Sequence, residues 1–306
     1  MALQHPTVLV AGSANLDFVV RADRIPAPGE TVLGQGLATH PGGKGANQAV
    51  ACARAGGVAT RMLLGLGADA FAHPVEQSLA AAGVQMVVRR FDDLATGAAF
   101  ITVDAAGENA ITVASGANAG LRADDLPPLD GVDVLLLQLE SALPAVTAWA
   151  HTARSCGVKV VLNAAPAQPL GAELLGCLDV LIANEGELAA VCADSRARTL
   201  DERLCSVDVP CVVVTLGARG CLARTPQGRI AQPAFAVEVV DTTAAGDTFC
   251  GTLAAALARR DPWPQALREA SAAAALACTR PGAQPSIPSR EQVLALLRTR
   301  PVPAEP

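Results

Sequence analysis

The sequence predicts an α/β fold, a doubly wound and mostly parallel sheet with helices on both faces, to which a small β appendage is attached. Three observations lead there. Short β-branched or leucine-rich runs recur along the 306 residues, and each is apolar on both faces, as a strand covered on two sides must be. Alanine-rich helical stretches separate these runs, an alternation that calls for right-handed crossovers. Two further segments alternate with a period of two and belong to a different kind of sheet.

The clearest parallel-strand runs are Thr7–Gly12, Val132–Leu139, Val158–Leu162, Leu178–Ala183 and Cys211–Thr215, with a helix over Leu143–Cys156 between the second and third. One alternating segment is Leu16–Thr39, where Phe18-Val-Val and Glu30-Thr-Val-Leu are split by Pro26, Pro28 and Gly29. The other is Val87–Ala114, which turns at Asp104–Gly107. Both read as antiparallel hairpins that cannot sit inside a parallel sheet. They are placed together as one small sheet over about 16–39 and 87–114, either a lid on a ligand crevice or a plain edge extension. The C-terminal third is helical. Thr248–Arg260 carries an apolar stripe at Phe249, Leu253, Ala256 and Leu257. Asp261-Pro262 opens the next helix, through Cys278, and Ser289 with Gln292 forms a capping box for the last. Residues 1–306 are read as one domain that frays over Arg300 to Pro306.

Apolar residues make up 51% of the chain and are spread along its length, so a large core is available and disorder is excluded away from the ends. A net charge of −6 argues against nucleic acid as a partner. No stretch has the apolar length of a membrane span, and the run Thr7–Ala14 is too short for a secretory leader. The nine cysteines include no C-x-x-C pair, and most sit among small apolar residues, as reduced core thiols do. These features predict a cytoplasmic enzyme.

Chemistry shows in where the polar residues fall. Asn15 and Asp17 follow the first strand, Glu140 ends the second and Asn163 ends the third. Asn184, Glu185 and Glu187 follow the fourth, and Thr215–Gly220 follows the fifth. In an open parallel sheet the carboxyl ends of the strands face one crevice, and ligands bind there. Singly, each such residue is a common turn former or cap. Five strands ending this way point to one shared site.

Two glycine-rich stretches give that site its chemistry. Pro41-Gly-Gly-Lys-Gly-Ala-Asn47 precedes a helix read over Gln48–Ala55. Its glycines let backbone approach a ligand, and Lys44 and Asn47, three apart, share a face of the entering helix. It is not a Walker A loop, because Gly45 stands where Ser or Thr should follow the lysine. Asp241-Thr-Thr-Ala-Ala-Gly-Asp247 runs into a helix read from Thr248. The unpaired N–H groups of a helix start suit a transferring phosphoryl group, and Asp247 is placed to take a proton from an attacking hydroxyl.

On Gly42-Gly-Lys-Gly-Ala-Asn-Gln-Ala49 and Asp241–Asp247 the chain resembles the ribokinase/PfkB family of sugar kinases, whose two signatures these match in order and spacing. The resemblance covers about residues 6 to 295. Gly12-Ser-Ala-Asn-Leu-Asp17, Gln138-Leu-Glu-Ser141, Thr215–Gly220 and Gly282-Ala-Gln-Pro-Ser286 are similar, more narrowly, to its ribose-phosphorylating members. Departures are few. Ala244 replaces the glycine of the broader family, Asn163 precedes Ala-Ala-Pro rather than Pro-Ala-Pro, Gly186 replaces a threonine, Cys250 an asparagine and Pro281 a lysine.

The resemblance implies a Rossmann-like fold with a β lid, and ATP-dependent phosphorylation of D-ribose at O5 to give ribose 5-phosphate and ADP. It implies that Asp247 is the base and that Ala244, Ala245, Gly246 and Asp247 form an anion hole. The implied sugar site is Asn15, Asp17, Gly43, Lys44, Asn47, Glu140 and Asp247, with apolar contacts from Ala99 and Ile111. ATP is expected against Asn184, Glu187, Thr215, Gly217, Ala218, Arg219, Gly220, Gly246, Ser271 and Gly282, with Glu187 helping to organise magnesium. A potassium loop is implied at Asp241, Thr243, Ala277, Arg280, Gly282 and Ser286, several acting through carbonyls. Paired lids imply a homodimer. The alternatives are a related kinase for deoxyribose, a nucleoside or another furanose, and a non-catalytic sugar or nucleotide sensor. Retention of Asp247, Lys44 and the helix start argues against the sensor.

Overall fold

The computed structural model of the chain describes residues 5–192 and 196–300, so the tail after Arg300 lies outside the described residues. The N-terminal part runs β1 (Thr7–Ala11), β2 (Asn15–Ala22), β3 (Gly34–Gly42), α1 (Lys44–Arg54), β4 (Ala59–Gly67), α2 (Ala72–Ala81), β5 (Gln85–Phe91), β6 (Gly97–Val103) and β7 (Asn109–Ala114). The centre follows with β8 (Val134–Leu137), α3 (Leu143–Ser155), β9 (Lys159–Asn163), α4 (Ala172–Leu175), β10 (Val180–Asn184), α5 (Glu185–Val191) and α6 (Leu200–Ser206). The chain closes with β11 (Cys211–Thr215), β12 (Cys221–Thr225), β13 (Gly228–Gln232), α7 (Ala245–Ala258), α8 (Trp263–Ala277) and α9 (Arg290–Thr299).

The large sheet has the order β13-β12-β11-β10-β9-β8-β1-β4-β5. From β11 to β5 every pair is parallel, and β12 and β13 extend one edge antiparallel. Strand β1 shows why this sheet is central. Val8 and Val10 point to one face, Leu9 and Ala11 to the other, and all four are fully buried. The first face packs on α1, α2, α7, α8 and α9, the second on α3 to α6. Small residues bring α1 and α7 close together: a Cβ on Gly251 would stand 2.4 Å from Gln48 O.

The small sheet has the order β3-β2-β6-β7. Its two antiparallel hairpins are joined by the parallel pair β2–β6. Register puts Asp17, Ala99 and Val113 on one face, with Ile101 and Ile111 in the next row of that face. Phe18 lies on the other face. It stacks on Phe100 at 5.3 Å between centroids and meets Phe71 edge-on at 5.2 Å, which ties this sheet to the large one.

Three expectations need correction. Val87–Phe91 is not part of the small sheet; it lies in β5, paired in parallel with β4 at the edge of the large one. Its sequence, Val-Val-Arg-Arg-Phe, is β-prone, short and half-exposed, as an edge strand of the large sheet or a hairpin strand of the small one would be, so composition alone cannot separate them. Glu30–Leu33 forms no strand, and the hairpin partner of β2 is β3, whose glycines and Pro41 mask its pattern but are tolerated at an edge. The two site helices begin earlier than read, at Lys44 and Ala245, so Lys44 and Asp247 lie inside first turns. Strands β4, β12 and β13 complete the sheet beyond the five clearest runs.

Candidate active site

Strand β1 hands over to β2 through Gly12, Ser13 and Ala14, and this short bend forms the floor of the site. Asn15 is buried there. Its Oδ1 accepts from Asn118 Nδ2 at 2.8 Å, while Asn118 Oδ1 accepts the Ala14 N–H at 3.0 Å. Gly43 caps α1 with φ 89°, and a Cβ on it would stand 2.9 Å from Asn15 N, so only glycine fits this approach. The Ser13 hydroxyl and the Lys44 N–H both donate to Glu140 Oε2, at 2.5 and 3.0 Å, which fixes that carboxylate over the start of α1.

Asp247 enters from the opposite side on the first turn of α7. Its cap, Ala244, adopts a left-handed conformation with φ 57°, rare for a residue with a Cβ. Ala245 N–H is engaged by Thr242 O at 3.2 Å, and the Thr248 N–H and hydroxyl both return to Ala244 O at 2.8 Å. By position the helix leaves the N–H groups of Gly246 and Asp247 without intrahelical acceptors. The Asp247 carboxylate is held at both oxygens: Asn47 Nδ2 donates to Oδ2 at 2.9 Å and Gln48 Nε2 to Oδ1 at 3.0 Å.

Four carboxylates and one ammonium share this space. Burial, then Glu140 and Asp247, push the Asp17 carboxyl up to about 7, with Lys44 opposing. Burial also raises Asp247, against Lys44 and the Asn47 and Gln48 amides. For Lys44, burial acts to lower the ammonium, but Asp247, Glu140 and Glu187 overcome it and hold it above its ordinary value. Burial raises Glu187, whose Oε2 accepts the Asn184 N–H at 2.8 Å while Asn184 Oδ1 takes the Glu187 N–H, a closed capping box at the start of α5. Two buried acceptors in this space, Asp17 Oδ1 and Asn47 Oδ1, have no hydrogen-bond partner. Buried polar atoms in proteins are mostly satisfied; the others left without a partner among the described residues are Gln138 Oε1, Ser141 Oγ, Thr252 Oγ1 and Gln284 Nε2, and of the six only Asp17 Oδ1 and Asn47 Oδ1 belong to the predicted sugar site, where a donor is needed.

Beside the start of α7 opens a mostly apolar cavity of about 500 Å³. Of the residues predicted for the nucleotide, Thr215, Gly217, Ala218, Gly220, Gly246 and Ser271 line it, whereas Asn184, Glu187, Arg219 and Gly282 are not in its wall. Arg219 instead pairs with Glu185 at 2.5 Å. The apolar wall, made by Phe235, Val237, Val239, Phe249 and Ala274, had no sequence signal, because a loop and a helix flank look like ordinary core.

The predicted potassium residues are gathered only in part. Asp241 Oδ1 accepts from the Thr243 N–H and hydroxyl, at 2.8 and 2.6 Å, and Oδ2 from Gly282 N–H at 2.8 Å. Burial opposes ionisation of Asp241, yet these donors hold its carboxyl below the ordinary range. Ala277 O accepts the Arg280 N–H, and the buried Ser286 hydroxyl donates to Ala283 O at 2.7 Å. Other residues that the structure adds to the site are Ser13, Gln48, Asn118 and Gln138. Three of them stood inside quoted motifs, but nothing in the sequence told a second layer of polar side chains from a helix face. Among the described residues, no helix is long and apolar enough to cross a membrane, and the nine cysteines form no disulfide.

The profile of the pfkB family carbohydrate kinases matches residues 5–290. Ribokinase of Haemophilus influenzae is 38% identical over 302 residues, which cover 95% of this chain and 98% of that protein. Ribokinase of Schizosaccharomyces pombe is 37% identical, with 94% and 96% covered. Among solved structures, Thermotoga maritima ribokinase superposes with a TM-score of 0.89 at 36% identity, covering 95% of this chain and 99% of that one. Arabidopsis thaliana ribokinase complexed with ribose and ATP gives 0.88 at 33%, covering 96% and 99%. With its two signature loops converging on Asp247 and nearly the full length matched, the chain belongs to the pfkB family of carbohydrate kinases.

Proposed function

We propose that this chain phosphorylates D-ribose at O5 with ATP, releasing ribose 5-phosphate and ADP. The observation that carries the reading is the pair of unpartnered buried acceptors, Asp17 Oδ1 and Asn47 Oδ1, beside the Asp247 carboxylate. A polyhydroxylated acceptor supplies the donors those oxygens lack. Full-length relatives with that activity in their names support ribose over another furanose.

In this reading Asp17, Asn15 and Asn47 hold the ring hydroxyls, with Glu140 fixed beside Lys44 as a further acceptor. Ala99 lies on the face of the small sheet that carries Asp17, with Ile111 one row along, so that sheet acts as a lid whose apolar side excludes water. Asp247 takes the O5 proton as O5 bonds to the γ-phosphorus and the bond to ADP breaks. Lys44 and the N–H groups of Gly246 and Asp247 stabilise the charge on the phosphoryl oxygens, so catalysis is mostly positioning and electrostatics. The nucleotide base enters the cavity walled by Phe235 and Ala274, with its phosphates toward Gly246.

Hard cations take oxygen ligands. Glu187 has one carboxylate oxygen not engaged by Asn184, which suits an indirect hold on magnesium. When bound, magnesium neutralises phosphate charge. Asp241 with the carbonyls around 277–286 offers the carboxylate-and-carbonyl set that suits potassium, and the Asp241–Gly282 bond already brings the two segments together. Ile111 and Val113 are exposed on one face of the lid and Leu37 and Phe100 on the other, apolar surface that favours a homodimer through it, and a reducing cytoplasm suits cysteines that form no disulfide. The test is ADP release over a panel of pentoses, hexoses and nucleosides. Ribose is expected to give the highest kcat/KM; no ribose-dependent turnover overturns the reading.

A further inference from the structure

Behind the acceptor site lies a layer of carboxamides that the reaction as described does not use. Gln48 follows Asn47 on α1 and is completely buried. One N–H of its side chain donates to Asp247 Oδ1 and the other to Asn163 Oδ1, both at 3.0 Å. Its own Oε1 accepts from Gln138 Nε2 at 2.7 Å. Asn163, the last residue of β9, donates its Nδ2 to Ile182 O on β10 at 3.3 Å, so its oxygen faces Gln48. Gln138, just past β8, is also fully buried. Every polar atom of Gln48 is therefore engaged, and its orientation is fixed from three strands of the large sheet. A flipped amide would set its oxygen against two other oxygens and its NH2 against that of Gln138.

We infer that Gln48 is a positioning residue for the reaction, and that the relay Gln138–Gln48 sets the plane and the charge state of the Asp247 carboxylate. The inference rests on the reading of Asp247 as the base. Asn47 alone, on Oδ2, leaves the carboxylate free to turn about that one bond. A second donor on Oδ1 removes the rotation, so that the remaining lone pairs meet the acceptor hydroxyl in one orientation. The same N–H stabilises the anion in a site whose burial favours the neutral acid. The groups facing Asp247 are Lys44 and Asn47 on α1, Glu140 after β8, Glu187 on α5, Asp17 on β2 and the buried Cys250 on its own helix. Of these Lys44 alone carries positive charge, and it is shared among four carboxylates. The Gln48 amide is thus a neutral donor dedicated to one of them. Gly12 serves the same relay, since a Cβ there would stand 1.9 Å from Gln138 Oε1.

The experiment compares wild type, Asp247→Asn, Gln48→Leu and Gln138→Leu by kcat and KM for both substrates across pH, alongside thermal unfolding. For Gln48→Leu, kcat is expected to fall about 10- to 100-fold with the ribose KM little changed. The acid limb of kcat should move up by about one pH unit, because loss of a hydrogen bond to a charged group costs that much. Gln138→Leu, which makes no hydrogen bond to Asp247, is expected to shift both quantities in the same sense but less. It also keeps the test alive if Gln48→Leu does not fold. A purely structural role would lower the melting temperature and leave the acid limb in place. A folded Gln48→Leu or Gln138→Leu with wild-type kcat and acid limb, beside an inactive Asp247→Asn, overturns the relay and leaves the base assignment intact. An active Asp247→Asn overturns the base assignment itself.

Discussion

Asp17 Oδ2 fills space that a side chain at residue 42 would occupy: a Cβ on Gly42 would stand 2.1 Å from it. The carboxylate and the glycine loop thus fit together as one unit, and the three atoms nearest a Cβ at this position all belong to Asp17. Gly42→Ala is expected to fold, because a short side chain can swing aside, but to displace the carboxylate from the acceptor. The ribose KM should rise about 100-fold while the ATP KM stays within about threefold. Titration of both substrates at saturating partner checks it, and an equal rise in both constants counts against the assignment.

Asp17 also predicts a pH dependence. Its folded value of about 7 lies above its ordinary 3.8, so in the empty site it is neutral below that pH and ionised above it. As the anionic form accepts two hydroxyls, kcat/KM for ribose should climb up to about pH 7 and level off beyond, as a free-enzyme group dictates. The linked effect on stability has the opposite sense. A carboxyl raised on folding favours the folded state at low pH and opposes it as pH rises through the folded value. Asp17→Asn should therefore be the more stable protein at pH 8, by about 1–4 kcal/mol, with the gap closing toward pH 4. Denaturant melts of both proteins at the two pH values measure this.

Asp247→Asn should keep the fold and bind sugar while kcat falls by about 10²–10⁴, the usual loss for a positioned base. Calorimetry with ribose and single-turnover kinetics separate the two effects. Turnover within about threefold of wild type rules Asp247 out as the base.

At fixed ionic strength, turnover in potassium chloride is expected to exceed that in sodium or tetramethylammonium chloride, and Asp241→Ala should abolish the difference. The physical route is preorganisation: tying the Asp241 and Gly282 segments together steadies the first turn of α7 that begins four residues later at Ala245. Equal rates in every salt would mean that the direct Asp241–Gly282 bond suffices.

Sedimentation at micromolar concentration should find a dimer, and Ile111→Glu should dissociate it. Ile111 is 54% exposed and Phe100 53% on a four-stranded sheet with both edges free, more apolar surface than a small lid usually leaves to water. A fully active monomer contradicts pairing through the lid.

The parts of this fold that were legible share one property: their physics is local. The fully buried parallel strands are short apolar runs, and the two glycine loops ahead of helices advertise a site. Val87–Phe91 failed because an edge strand of one sheet and a hairpin strand of another are alike in length, β-propensity and partial exposure. The helix starts failed because glycine and alanine carry no cap signal: Lys44 and Ala245 follow Gly43 and the left-handed Ala244, neither of which makes a side-chain cap. Within the site, Lys44, Asn47, Glu140 and Asp247 were chosen for their chemistry and are found together. Gln48, Gln138 and Asn118 went without a role because their function lies in partners 90 to 199 residues away, which no local pattern encodes.

In the proposed reading the acceptor end is built from β2, α1 and the small sheet, the donor end from the loop after β11, residues 234–239 and α8. They meet at the first turn of α7, where Gly246 faces the cavity and Asp247 faces the sugar side. If that reading holds, a gene that varies codons for Ala99 and Ile111 explores new acceptors while its phosphate donor stays constant. A drift in Val237 or Ala274 does the reverse. Descendants of one such scaffold can diversify in what they phosphorylate without losing what they phosphorylate it with, and a laboratory library confined to the lid strands would walk the same route.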